Sequence, residues 1–341
     1  MPVGATTCVL ALWMARAWAG RGLLVLAVLL AMMPVAHAAK ADCDGPFAVG
    51  RRTLALADGR EIAVWYPVAA PPTPAPREDA PIASCPTRWP LLLFSHGVAG
   101  CNEQVLYLTE EIARHGYVVA APNHRDAICG VVTRRKYPDA PDSTRPAFLD
   151  PAAWTAAAWR ERMEDLRQTV QVVTADDRLG RAIDRQRLGL MGHSLGGYTV
   201  LGAAGGWNGW EIPGVRAVLA LAPFVQPLLA HRRLRALQVP VMYQVAAWDF
   251  GITPGVVGEG GAFAASPAPK YLVELGAAGH MLWTNLPCNA YTTTTGCLAA
   301  VAEARLVDAY ALAFFDRHLK GWPAPLLDGK GAGLREYRAR R

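Results

Sequence analysis

The strongest constraint on this chain is a series of short, wholly apolar segments separated by stretches with helical spacing. Leu91-Leu92-Leu93-Phe94 has no polar face and ends at Ser95-His96-Gly97. Glu103 to His115 then carries a helical period that stops at Gly116, and Tyr117 to Ala121 is again continuously apolar. A strand with one wet face alternates polar and apolar residues. Unbroken apolar strands therefore predict a sheet covered on both sides, and helices between them predict that it is mostly parallel. The pattern continues with strands at Arg187–Met191, Val215–Leu221, Val239–Val245 and Lys270–Leu275. Helices are predicted from Trp154 to Leu179, from Gly196 to Ala204 and from Cys297 to Leu319. Upstream, β-prone runs at Phe47–Leu56 and Glu61–Val68 flank Asp58-Gly59, the signature of an N-terminal hairpin.

The stretches between these elements are less regular. Ala69 to Pro90 is a Pro-rich exposed connector. Pro122 to Trp154 mixes prolines with Arg125, Arg134, Arg135, Lys136 and Arg145, and an insertion of that length reads as a functional loop and candidate lid. The predicted organisation is one α/β domain over 39–325, carrying the 122–154 insertion, with a basic polar tail over 326–341 that holds Arg335, Arg338, Arg340 and Arg341.

Before the domain, Arg16 and Arg21 precede an uncharged run from Gly22 to Val35, followed by Ala36-His37-Ala38. A charged start, a short apolar run and a small-x-small triplet predict a signal peptide, residues 1–38. The run is shorter than the roughly 20 apolar residues of a membrane span, so no stable membrane anchor is expected after cleavage. The expected location is secreted or periplasmic. Of the 7 cysteines, Cys8 leaves with the signal, and the even set Cys43, Cys85, Cys101, Cys129, Cys288 and Cys297 predicts disulfides in an oxidising compartment. Loop positions suggest Cys101 with Cys129 and Cys288 with Cys297, which leaves Cys43 with Cys85. No Cys-x-x-Cys or His-rich spacing supports a metal site. With 52% hydrophobic and 18% charged residues and a net charge of +6, the chain is neither disordered nor a polyanion clamp. No nucleic-acid partner is expected, and a monomer is.

Gly192-His193-Ser194-Leu195-Gly196 matches Gly-x-Ser-x-Gly between a predicted strand and a predicted helix, the setting of a nucleophile elbow. A serine hydroxyl needs a base and a group that orients the base. In this architecture they follow in the order acid, then histidine. After Ser194 the histidines are His231, His280 and His318. His231 lies in His231-Arg232-Arg233 and His318 between Arg317 and Lys320, where neighbouring cations oppose an imidazolium. His280, in a glycine-rich turn after a strand, is the candidate base. Among Glu211, Asp249, Glu259 and Glu274, only Asp249 falls just beyond a strand at the carboxyl edge of the sheet, where such folds place their sites. An oxyanion would be held by the backbone N–H groups of Leu195 and Val98, the latter in the turn after Leu91–Phe94. His96 is expected to brace that turn. Trp207, Trp210, Trp248 and Trp283 fall close to these residues in sequence, and such residues are more often core than contact.

Three segments resemble a known family: Leu92-Leu93-Phe94-Ser95-His96-Gly97, His115-Gly116-Tyr117-Val118-Val119-Ala120-Ala121-Pro122-Asn123-His124-Arg125-Asp126, and Gly192-His193-Ser194-Leu195-Gly196-Gly197. Together they are similar to the platelet-activating-factor acetylhydrolase-like branch of the α/β-hydrolases, which includes secreted bacterial predicted dienelactone hydrolases; cutinase-like polyester hydrolases look related. The resemblance implies an α/β-hydrolase fold without a large separate cap domain. It also implies serine carboxylester hydrolysis through an acyl-enzyme, without a cofactor, on a small-molecule, lipid or polymer ester. Two differences stand out. The acetylhydrolases place their acid after the strand that follows the nucleophile helix, where this chain reads Ala220-Leu221-Ala222-Pro223; dienelactone hydrolases use a cysteine where this chain has Ser194. An acyltransferase with the same triad and a non-catalytic binding module on the same fold are the alternative readings.

Overall fold

The computed structural model describes residues 43, 45–128 and 140–341. The expected signal segment, Cys129 and part of the 122–154 insertion lie outside them. The strands are β1 (Ala48–Ala55), β2 (Glu61–Val68), β3 (Arg77–Glu78), β4 (Trp89–Ser95), β5 (Val118–Pro122), β6 (Ile183–His193), β7 (Val215–Leu221), β8 (Val241–Ala246), β9 (Lys270–Leu275) and β10 (Leu334–Arg340). The helices are α1 (Leu106–Arg114), α2 (Arg160–Ala175), α3 (Leu195–Leu201), α4 (Gln226–Ala230), α5 (Thr253–Val257), α6 (Ala262–Ala265), α7 (Thr294–Ala300) and α8 (Ala302–Phe315).

The strands form one sheet in the order β10-β9-β8-β7-β6-β4-β5-β2-β1-β3. From β5 through β4, β6, β7 and β8 to β9 every pairing is parallel. The hairpin β1–β2 joins antiparallel to β5. The apolar runs behave as expected of strands buried on both faces. Leu91 and Leu93 of β4, with Val118 and Ala120 of β5, pack into one core with Met163 and Leu166 of α2 and Tyr198 of α3. Leu92 and Phe94, with Val119 and Ala121, pack into the opposite core with Leu108 and Ile112 of α1 and Phe314 of α8. All eight strand residues are buried. At roughly 25 cal/mol per Å² of apolar surface removed from water, these two layers hold the sheet and fix its register. Among the described residues no separate cap domain covers it.

Three local expectations are corrected. The helix expected from Trp154 begins at Arg160, because Trp159 takes a left-handed conformation (φ 58°) and its N–H donates to Thr144 O, tying this stretch to the insertion. The terminal helix is broken between α7 and α8, where Val301 is extended. The 326–341 segment, expected as a polar tail, contains β10, which pairs antiparallel with β9. Its arginines hide the strand from sequence reading, since charge on an edge strand is both tolerated and protective. Arg338 also lays its guanidinium over the Phe263 ring and donates to Val257 O.

Candidate active site

The sheet ends its parallel strands at one edge, and the candidate residues gather there. Ser194 occupies the turn between β6 and α3 with φ 55° and ψ −114°, a conformation costly for a side-chain-bearing residue. It is held by hydrogen bonds from Ser194 N–H to Leu221 O (3.0 Å) and from Phe224 N–H to Ser194 O (2.9 Å). The flanking glycines are obligatory on steric grounds. A Cβ at Gly192 would lie 2.3 Å from Gly196 O, and one at Gly196 would lie 1.9 Å from Ser95 O.

His280 follows β9 and Asp249 follows β8. Ser194 Oγ lies 3.0 Å from His280 Nε2, and His280 Nδ1 lies 2.6 Å from Asp249 Oδ2. The structure thus joins the three candidates in one hydrogen-bonded line: Nδ1–H donates to the carboxylate and Nε2 is left to accept from the hydroxyl. Asp249 is buried, whereas the His280 side chain is 32% exposed, so the line opens to solvent at its imidazole. A pocket of about 330 Å³ adjoins Ser194 and His280, lined also by Val98, Gln104, Ile128 and Met281. Val98 faces it from the turn after β4, and Leu195 directly follows the serine as the first residue of α3. The rejected histidines lie elsewhere: His231 contacts Ala152 O, and His318 packs on Tyr271 and Phe314. Of the four tryptophans, Trp207, Trp210 and Trp283 are core, while Trp248, beside Asp249, is 62% exposed.

Beneath the Val98 turn lies a charged network that sequence reasoning missed, apart from the expected bracing by His96. His96 Nδ1–H donates to Gly97 O (2.7 Å), and its Nε2 accepts from His124 N–H (3.0 Å). The fully buried Arg162 donates to His96 O and Gly97 O (2.8 and 3.0 Å) and to both oxygens of Asp126 (3.1 Å each). Asp126 Oδ2 in turn accepts from Ala99 N–H (3.0 Å). Burial opposes ionisation of Asp126, but the Arg162 guanidinium outweighs it and holds the carboxyl well below the usual range. Burial first, and then the charge of Arg162, push His96 well below an ordinary imidazole. The carbonyls of residues 96 and 97 and the N–H of residue 99 are thus fixed from below, which leaves residue 98 at the apex of a braced turn. The one available signal was the repeated pairing of Arg with Asp in Arg125-Asp126 and α2, which does not say who pairs with whom.

Two of the expected disulfides are present, Cys43–Cys85 and Cys288–Cys297. Cys101 is also disulfide-bonded; its expected partner lies outside the described residues.

A parallel sheet with an elbow serine, a histidine and an acid at its carboxyl edge defines the α/β-hydrolase class, and this chain has that fold. A ferulic acid esterase from Streptomyces cinnamoneus superimposes with a TM-score of 0.59 at 23% identity, covering 86% of this chain and 97% of that one. Within the class, residues 72–173 match the family model of platelet-activating factor acetylhydrolase, isoform II. A platelet-activating factor acetylhydrolase of Cavia porcellus is 24% identical over 163 residues, 41% of this chain. The match spans 36% of that relative's length. The family-model match contains the segments around His96 and His124 and stops before the serine elbow.

Proposed function

We propose that this chain is an exported serine carboxylester hydrolase. The reading is carried by the Ser194–His280–Asp249 line opening onto a pocket at the sheet edge. Ser194 Oγ attacks the ester carbonyl carbon while His280 Nε2 takes its proton. The carbonyl oxygen becomes an oxyanion that accepts from the Val98 and Leu195 N–H groups. Asp249 holds the imidazole tautomer and balances the imidazolium. The tetrahedral intermediate collapses, His280 returns the proton to the departing alkoxide, and the alcohol leaves an acyl-serine. Water, deprotonated by His280, attacks that ester in turn and releases the acid and free Ser194.

The apolar character of the rim supports an apolar acyl or aryl ester: Val98, Ile128 and Met281 line the pocket and are exposed, and Phe250, next to Asp249, is 81% exposed. The disulfides support export, with 1–38 as the signal. The experiment is hydrolysis of short nitrophenyl esters and labelling by a fluorophosphonate, with wild type and Ser194→Ala side by side. Both signals should vanish in a variant that keeps the wild-type circular dichroism. Undiminished turnover by Ser194→Ala would overturn the reading.

A further inference from the structure

Gln104 lies between the Val98 turn and α1, and both polar atoms of its buried amide are hydrogen-bonded. Oε1 accepts from Gly97 N–H (2.8 Å). Nε2 donates to His193 Nδ1 (2.7 Å) and to Trp283 O (3.0 Å). Because His193 accepts at Nδ1, its proton sits on Nε2, which donates to the backbone carbonyl of His280 (3.0 Å). One side chain therefore ties together the turn that carries Val98, the elbow that carries Ser194, and the loop that carries His280.

The surroundings are shaped for this amide. A Cβ at Gly100 would lie 2.1 Å from Gln104 Oε1, and one at Gly97 would lie 3.1 Å from His193 Nδ1 and 3.4 Å from Gln104 Oε1. A second tie runs alongside: Asn285 Oδ1 accepts from Leu106 N–H (2.8 Å), and its Nδ2 donates to Glu103 O (2.7 Å). The His193 ring lies 4.7 Å from that of His280, centroid to centroid, and stacks on Trp283 at 6.2 Å. Burial, then the nearby His280, pull His193 down to about 3, so it stays neutral and its tautomer is set by Gln104.

We propose that Gln104 is a positioning residue for ester hydrolysis: through Gly97 it sets the Val98 oxyanion donor, and through His193 and Trp283 it sets the His280 loop. The proposal rests on the serine-hydrolase reading above. Both elements it holds act in the transition state more than in substrate binding, so its loss should lower kcat and spare KM.

Two variants test it. Gln104→Met keeps the shape without the hydrogen bonds and should lose roughly 10- to 100-fold in kcat, as expected for misplacement by about an ångström, with KM within about twofold. Gln104→Glu keeps the acceptor for Gly97 N–H but sets a carboxylate oxygen against two acceptors, His193 Nδ1 and Trp283 O. A bound proton relieves that clash and keeps the His193 Nε2–H bond to His280 O, whereas a change of His193 tautomer would satisfy Nδ1 only by giving that bond up and would leave Trp283 O unserved. Its activity relative to wild type should therefore rise as the pH is lowered from 8 to 6, a signature that a purely structural role would not give. If Gln104→Met does not fold, Gln104→Glu decides alone. Wild-type kcat in the Met variant, a loss confined to KM or thermal stability, or a pH-independent Glu:wild-type ratio overturns the proposal. Ser194→Ala is run in parallel. Ser194-dependent hydrolysis with unaffected Gln104 variants sinks this inference alone, whereas Ser194-independent hydrolysis sinks the underlying reading and this inference with it.

Discussion

The described residues hold two Ser–His–Asp lines. Beside Ser194–His280–Asp249 stands a second: Ser95 Oγ lies 2.8 Å from His124 Nε2, and His124 Nδ1 lies 2.9 Å from Asp165 Oδ2. Residue types and hydrogen-bond order are the same and both acids are buried, yet the access, backbone conformation and charge balance of the two lines differ. Ser95 ends a regular strand and is sealed, as are His124 and Asp165, whereas Ser194 sits on a strained elbow at a pocket. Asp165 is neutralised by a bidentate Arg60 at 2.6 Å on each oxygen, so it has less charge to lend to an imidazolium. Burial, followed by the charge of Arg162, pulls His124 down to about 4. A base must be able to take a proton, and this one resists it. The second line braces the ends of β4 and β5 against α2, and the two lines differ in access and charge balance rather than in residue identity.

The sharpest way to break the comparison is to remove each serine. Ser194→Ala should abolish turnover with little change in stability. Ser95→Ala should leave kcat within about tenfold and instead cost roughly 1–3 kcal/mol, because His124 Nε2 is left buried without its partner. Esterase assays and urea unfolding on both variants measure the contrast, and comparable losses of activity would refute it. The acids come next. Asp249→Asn should cost about 10⁴ in kcat, by the logic of other triads, with a nearly unchanged unfolding midpoint. Asp165→Asn should do the reverse, destabilising by about 3–5 kcal/mol since Arg60 becomes a buried charge with half of its compensation gone.

Only the first line could be read in the sequence. Ser194 announces itself through two glycines that sterics demand, and His280 and Asp249 follow by order along the chain and position after a strand. The buried apolar strands were equally legible, because a fully covered strand leaves no room for polar alternation. Ser95, His124, Asp165 and Arg60 carried no such signal: they come from the end of β4, the stretch after β5, α2 and the turn before β2, and nothing in the spacing of a buried polar residue tells which distant partner satisfies it. The same holds for Gln104, whose three acceptors and donors are 7, 89 and 179 residues away. Strand β10 was missed for a different reason, since its arginines mimic a solvated tail.

The neutral histidines make a pH-dependent prediction, smaller for each histidine than the loss of Asp165. His124 at about 4, His193 at about 3 and His96, also lowered, all bind protons less readily in the folded protein than an unfolded histidine near 6.5. Below pH 6.5 the unfolded chain takes up protons that the folded one refuses. Stability should therefore be full above that pH and fall as the pH drops toward 4, on the order of 1 kcal/mol per pH unit for each histidine kept neutral. The loss begins above the carboxylate range, which separates it from Asp126 and Asp165, whose lowered values add only nearer pH 4. Unfolding midpoints from pH 7.5 to 4.5 test this. His124→Gln should shallow the slope, while an unaltered slope would show that the strut does not resist protonation.

The smallest effect comes from a buried acid that, unlike Asp165, makes no ion pair among the described residues. Asp308 on α8 is buried against the α1 side, and among the described residues neither of its oxygens has a hydrogen-bond partner. Burial, then the nearby Glu111, raise its carboxyl well above the ordinary value. Above about pH 4 the unfolded chain releases this proton while the folded one retains it, so Asp308 makes the protein less stable as the pH rises, opposite in sign to the histidines. Asp308→Leu removes both the unpaired oxygens and this pH term. It should stabilise by about 1–3 kcal/mol at pH 8, and by less near pH 5. Chemical unfolding at the two pH values reads the difference directly. A loss of stability at pH 8 would mean that Asp308, like Asp165, is held by a compensating partner, and the contrast between paired and unpaired buried acids would not apply to this chain.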